Sequence, residues 1–348
     1  MQCLRVDATN DEEFAAWFNV LHRAELERDH GRDEGWRPQE WRARALDVDA
    51  PVYHQLFVLG QDVLHPVAIG ALELSREDNL HWLRGDLFVD PTERRRGYGG
   101  ELLAYLERMA RELRRSAILF WVVEDASERG RGSNRDFATR HGYDVGEENI
   151  QRDLEFPRPP GELERLESQW LGYATNYEIL SWRDATPESM LEGRAHLMAI
   201  MPLEVPDAGF GLEEERWDPA RLRSHERRTD DMGRDLLVAV ARDRSSGDLV
   251  GFSELSVSRE RPETAYQWDT LVARAHRGHR LGGLLKIATM RLLADGGYAT
   301  RQIMTSNNER NLAMIAVNEA LGARPSGGIV TWRKRLDGVE KTGADLLL

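Results

Sequence analysis

Apolar residues Leu102, Leu103, Tyr105, Leu106, Met109, Ala110 and Leu113 recur at helical spacing on one face, predicting an amphipathic helix. Immediately before it runs a short apolar strand, Leu87 to Val89, and a basic, glycine-rich turn. Upstream, Cys3 to Val6 reads as a strand. Thr9 or Asn10 is placed to cap a helix whose apolar face is Phe14, Trp17, Phe18, Leu21 and Ala24, with Glu12 and Glu13 positioned for a capping box. Gln55–Leu59 and Val67–Leu74 predict neighbouring antiparallel strands, and the unbroken apolar run Ala117–Val123 a buried one. Pro157 to Gly161 interrupts regular structure, and Gly161–Trp170 reads as a short helix. Thr186 followed by Pro187 predicts a helix start, because proline is tolerated at the first helical position. Asp235–Ala241 and Leu249–Val257 predict a hairpin turning at Ser245-Ser246-Gly247-Asp248, and Ala265–Val272 a further strand.

The turn at Arg94-Arg95-Arg96-Gly97-Tyr98-Gly99-Gly100 carries the first candidate chemistry. Glycines let a backbone approach a ligand closely, and the free N–H groups of a helix start favour an anion, so the turn suits a pyrophosphate. The pattern returns. Gln267 to Val272 leads into Arg277-Gly278-His279-Arg280-Leu281-Gly282-Gly283, which sets Asp269 on Asp86 and Val272 on Val89. Asp7-Ala8-Thr9 matches Asp184-Ala185-Thr186, Gly70-x-x-Glu73-Leu74 matches Gly251-x-x-Glu254-Leu255, and Gly142 matches Gly322. An offset of about 180 residues held across such separated landmarks marks two copies of one domain, too long a period for a solenoid.

Val89-Asp90-Pro91 with Arg94-x-x-Gly97-x-Gly99 resembles the acyl-CoA loop of the GNAT (GCN5-related) N-acetyltransferase superfamily, whose motif is Arg/Gln-x-x-Gly-x-Gly/Ala. The tandem arrangement is similar to the two-domain members, mycothiol synthase-like acetyltransferases among them. The resemblance implies an α+β fold: two tandem domains, each a central mixed, largely antiparallel sheet flanked by helices. Expected boundaries are 1–155 and 177–336, with a linker at 156–176 and a tail at 337–348. It further implies acetyl-CoA as co-substrate, held at Val89, Arg94, Arg95, Arg96, Gly97, Gly99 and Gly100 in the first copy. In the second the matching residues are Val272, Arg277, Gly278, His279, Arg280, Gly282 and Gly283. Arg280 replaces the motif's central glycine, and a helical φ would spare it a clash. Asn308 and Asn311 are placed either to bond the pantetheine amides or to cap a helix.

The family's proton-handling residues are altered in both copies. Its usual base glutamate falls on Leu83 in the first copy and Tyr266 in the second, and its usual acid tyrosine on Ala138 and Asn318. Asp269 is the leading replacement base and Glu254 the other candidate. Strict alternation sets Asp269 on the face opposite Tyr266, Trp268 and Thr270, and a bulge would reverse that. Asp86 and Glu73 stand at the matching places of the first copy, so an architectural role is equally open. The stretch from Met201 to Glu215 is expected to be irregular and to form the acceptor side, with Glu204 and Asp207 either available to a substrate ammonium or, as surface acids in loops usually are, simply solvated. Trp36 and Trp41 either shape the first copy's acceptor pocket or anchor a surface loop.

Composition narrows the function. A formal net charge of −13 repels nucleic-acid phosphates. The lone Cys3 excludes an internal disulfide framework and fits a reducing, cytoplasmic setting. No segment approaches membrane-spanning length, and His276 and His279 lack a carboxylate partner at metal-ligand spacing, so neither a membrane nor a metal is expected. The expectation is an N-acetyltransferase acting on a primary amine of a small molecule, such as an antibiotic or other secondary metabolite, by direct transfer. A mycothiol synthase-like enzyme and a non-catalytic acyl-CoA-binding module are the alternatives. The sequence leaves the oligomeric state and the acceptor's identity open.

Overall fold

The computed structural model describes residues 1–31, 33, 35–125, 130–204 and 211–336. Asp207 and the tail 337–348 lie outside the described residues. Among the described residues no helix is long and apolar enough to cross a membrane. The chain forms two compact units.

In the first unit, β1 (Gln2–Arg5), β2 (Val52–Gly60), β3 (Pro66–Ser75) and β4 (Trp82–Val89) are successive antiparallel neighbours. β5 (Ala117–Asp125) pairs parallel with β4, but only from Trp82↔Ala117 to Gly85↔Phe120. Alternation along these strands gives the sheet two apolar faces. On one lies α1 (Asp11–Arg28), where Asn10 accepts hydrogen bonds from the Glu12 and Glu13 amides. Beside it α2 (Pro38–Leu46) sets Trp41 edge-on to the fully buried Trp17, 5.0 Å between centroids, so Trp41 belongs to the core. The other face takes α3 (Tyr98–Glu112), whose Leu102, Leu103, Leu106 and Ala110 are buried as their periodicity requires. α4 (Ser133–Arg140) completes that side.

The units are not cut where the sequence copies end. Residues 330–336, the close of the second copy, pack in the first unit, where Val330, Trp332 and Leu336 share a core with Ile118 and Phe120. Conversely, β6 (Asp144–Glu155), which closes the first copy, pairs antiparallel with β11 (Gln302–Asn308) in the second unit, from Asn149↔Asn308 to Glu155↔Gln302. The last residues of each copy thus belong to the other unit, a division that hydrophobic patterning does not report.

The second unit repeats the plan. β7 (Tyr177–Arg183), β8 (Arg234–Asp243), β9 (Leu249–Ser258) and β10 (Thr264–Val272) are antiparallel, and β10 pairs parallel with β11 over Thr264–Tyr266 alone. α5 (Glu162–Leu171) and α8 (Leu281–Asp295) cover one face; α6 (Leu191–Glu204) and α7 (Pro219–Asp231) cover the other. The start of α6 differs from expectation. Thr186 gives its N–H and hydroxyl to Glu226 instead of capping, so Pro187 leads into a single 3₁₀ turn and α6 begins at Leu191. The helix then runs through Pro202 to Glu204, a segment expected to be irregular. α7 was not foreseen, although Asp218-Pro219 is a helix-start signal and Asp218 accepts the Arg221 amide at 2.7 Å. α9 (Leu312–Ala320) precedes β12 (Arg324–Arg335).

Candidate functional site

The two glycine-rich loops have one backbone conformation written with two different sequences. After β4 comes a 3₁₀ turn (Pro91–Glu93), extended Arg94, then left-handed Arg95 (φ 63°) and Gly97 (φ 90°) before α3. After β10 comes a 3₁₀ turn (Arg274–His276), extended Arg277, then left-handed Gly278 (φ 88°) and Arg280 (φ 60°) before α8. Each loop has one glycine and one arginine at its two left-handed positions, in reversed order. The helical φ expected for Arg280 is therefore corrected: it is held where a β-carbon costs roughly 1–2 kcal/mol. Among the described residues the N–H groups of 95–100 and 278–282 have no backbone acceptor, and Gly97, Gly278 and Arg280 are exposed. Successive free amides at a helix mouth form an anion-binding concavity.

The leading arginine of each loop is turned back on the protein. Arg277 Nε donates to the Val272 carbonyl at 3.1 Å, and its Nη2 lies 2.7 Å from Glu204 Oε2. Arg94 does the same with Val89 at 3.4 Å and Glu27 at 2.5 Å. Glu204, a candidate for either a substrate ammonium or plain solvent, is engaged by Arg277 and stands 3.7 Å from Arg274. Arg96 pairs with Glu93, and Arg95 is exposed.

In both units the strand leading to the loop parts from its parallel neighbour. Beyond Tyr266↔Met304 β10 and β11 separate, and Thr270, Leu271 and Val272 line a cleft of about 810 Å³ closed by the loop and by α9. Gly282 opens onto it: a β-carbon there would lie 3.9 Å from Val272 and Met314, ordinary contact. In the first unit β4 and β5 part after Gly85↔Phe120, yet Phe137 and Val89 stand 3.3 Å from a β-carbon at Gly99, and His141 3.1 Å from one at Gly100. Asn311 lines the second cleft and caps α9, accepting the Met314 amide at 3.2 Å. Asn308 is held by Glu147 and by the Arg310 amide.

β10 carries the bulge on which the base assignment turns. Its register against β9 shifts between Gln267↔Leu255 and Thr270↔Ser253. Thr270 consequently bonds Ser253 at 2.8 Å and lines the cleft, while Asp269 turns to the α6–α7 face near Glu254 and Glu215. Burial first, and then the charges of Glu254 and Glu215, push the half-buried Asp269 carboxyl up to about 7. Among the described residues it has no hydrogen-bond or ion-pair partner.

Glu254 is the opposite case. It is fully buried, which alone would raise its pKa, but Arg194 and His225 (3.6 Å away) hold it down at about 2. Arg194, also fully buried, donates to Glu254 and, at 2.9 Å, to Glu226. A carboxylate so locked is a poor base, so Glu254 is corrected to an ion-pair residue whose charge acts on Asp269. Sequence reasoning passed over Arg194, although an arginine among Leu191, Ala195, Leu197 and Met198 on a buried helix face was a usable signal. The first unit has the same charge pattern from different elements. There Glu73 lies 3.2 Å from His54 and bonds Arg84, and the Asp86 pKa is raised, by burial first and then by Glu73.

Tyr266 packs 5.0 Å from the Arg234 guanidinium. Asn318, at the usual acid position, is buried away from the cleft. It accepts from Lys286 Nζ at 2.8 Å and donates to Asn307. Burial lowers the Lys286 pKa from 10.5 to about 7. The unfolded chain therefore binds more protons than the folded one between those values. The penalty is full below about pH 7 and disappears as pH rises past 10.5, so this group makes stability increase with pH across that window. Lys286→Leu, which restores the residue type of Leu103 in the first copy, is expected to stabilise the protein at pH 7 by on the order of 3 kcal/mol. Urea unfolding at pH 7 and pH 10 checks this; the gain should be smaller at pH 10.

The description "Acetyltransferase (GNAT) family" matches residues 13–143 and again 198–323. No curated protein sequence matches the chain. Among solved structures, a tandem GNAT protein from the clavulanic acid biosynthesis pathway, without AcCoA, is 24% identical with a TM-score of 0.73, over 96% of this chain and 98% of that one. A GCN5-related N-acetyltransferase from Sphaerobacter thermophilus is 16% identical with a TM-score of 0.62, over 96% and 95%. The glucosamine N-acetyltransferase region of a fungal multi-domain GH3 β-N-acetylglucosaminidase is 14% identical with a TM-score of 0.64, over 96% of this chain and 38% of that one. At these identities the likeness is one of fold. With the family description matching in both copies, the chain belongs to the GNAT acetyltransferase family as a tandem, two-domain member.

Proposed function

We propose that the second unit transfers the acetyl group of acetyl-CoA directly to a primary amine of a small molecule, with Asp269 as general base. The observation that carries this reading is the placement of Asp269. It sits on the bulge just before the residues that line the cleft, turned to the α6–α7 face and partly accessible, and burial with the charges of Glu254 and Glu215 pushes its carboxyl up to about 7. An alkyl ammonium with a pKa near roughly 10 must lose a proton before it attacks, and a base poised near neutrality accepts it with the least penalty. The free amides of residues 278–282 suit the diphosphate of CoA, and Thr270 to Val272 offer strand backbone to the pantetheine arm. The amine nitrogen adds to the thioester carbonyl, the carbon–sulfur bond breaks, and the thiolate leaves with a proton. No residue of the chain is acylated on the way.

Mixing protein, acetyl-CoA and a panel of small amines and following free thiol tests the reading. Amine-dependent release of thiol is expected, with the acetylated amine identified by mass. Acetyl-CoA binding without release from any amine would instead make the chain an acyl-CoA-binding module.

A further inference from the structure

We propose that the turn following α5 builds the adenosine end of the second unit's acyl-CoA cleft, with Tyr173 stacking on the adenine ring and Arg280 facing the nucleotide's 3′-phosphate. The inference rests on the acyl-CoA reading above and adds a source of affinity outside both loop motifs. Tyr173 is 56% exposed and lines the same cleft as the loop. The Arg280 guanidinium lies 5.7 Å from the Tyr173 ring centroid, so an aromatic face and a cation stand together beside the amides suited to the diphosphate.

The backbone at Arg280 bears on the same assignment. The matching residue of the first loop is Gly97, which adopts the same left-handed conformation without penalty. An arginine kept at φ 60° forgoes that relief, as Arg95 does in the first loop, but only Arg280 stands with its guanidinium beside an exposed aromatic ring at the cleft. The turn is also fixed in place. Trp170 packs so closely on Gly283 that a β-carbon there would meet its ring at 2.3 Å. His279 Nδ1 stands 3.0 Å from the Tyr173 carbonyl, and Arg291 on α8 pairs with Glu167 on α5. A rigid, exposed aromatic ring loses little entropy when a base stacks on it.

Titration of CoA, 3′-dephospho-CoA and 4′-phosphopantetheine into the full chain tests the assignment. Tyr173→Ala is expected to weaken CoA about tenfold, the lower range for loss of a stacked base, and to leave 4′-phosphopantetheine unchanged. Arg280→Gly should erase the preference for CoA over 3′-dephospho-CoA without lowering the melting temperature, because glycine suits φ 60°. The proposal is overturned if Tyr173→Ala leaves CoA affinity intact, or weakens CoA and 4′-phosphopantetheine equally. Failure of the unaltered protein to bind CoA would overturn the acyl-CoA reading together with it. CoA bound equally well by the Tyr173→Ala protein would sink the adenosine site alone.

Discussion

Asp269→Asn should lower kcat by about 100- to 10,000-fold, the range for loss of a general base, while leaving acetyl-CoA affinity within about twofold. The asparagine keeps the shape of the side chain but cannot take a proton. The pH profile separates this from a packing defect. With Asp269 titrating near 7, kcat/KM should rise as pH passes through 7 and level off above it, because only the ionised carboxylate accepts the proton. In the variant that limb should vanish, and residual activity should follow the amine's own ionisation. Asp269 has no hydrogen-bond or ion-pair partner among the described residues, so the substitution strands no buried group, and because the raised pKa makes the ionised carboxylate a cost to the fold at neutral pH, the melting temperature should rise rather than fall. A variant with the same acid limb near pH 7 as the unaltered protein would remove Asp269 from the mechanism.

How much of this was legible in the sequence depends on the range of the forces involved. The duplication, both loops and the helices they open could be read because glycine spacing and a 3.6-residue apolar period are local. The reading that a bulge would turn Asp269 was available too, but only as a condition, since a bulge is a property of the β9–β10 pair. Its titration near 7 was not legible at all. That depends on Glu254 arriving from β9, on Arg194 and His225 arriving from α6 and α7 to lock Glu254, and on Glu215 nearby. Arg280 misled for a related reason: an arginine in a glycine position suggests helical φ, whereas the loop's geometry overrides that preference. The assignment of each copy's last residues to the other unit and the role of the α5 turn lay furthest from view. Residues 147–155, 170–173 and 330–336 find their partners more than a hundred residues away in sequence, and nothing in their own pattern says which partner wins.

The contrast between the loops leads to the second large expected effect. Gly282→Glu should abolish acetyl-CoA binding in the second unit and reduce turnover at least about 100-fold, whereas Gly99→Glu should leave most of the turnover. A side chain at 282 starts between Val272 and Met314, in ordinary contact with both, so the protein accommodates it, but it then extends into the cleft. Its carboxylate would stand at the mouth of α8, where the free amides otherwise favour a diphosphate. Two like charges about 4 Å apart at an effective dielectric of about 20 repel by about 4 kcal/mol, more than enough for a hundredfold loss. At position 99 the substitution meets Phe137 and Val89 at 3.3 Å, so its cost falls on packing in the first unit. Thermal melting of both variants, with isothermal titration of acetyl-CoA, separates folding from binding. Turnover kept in Gly282→Glu but lost in a folded Gly99→Glu would move the reaction to the first unit.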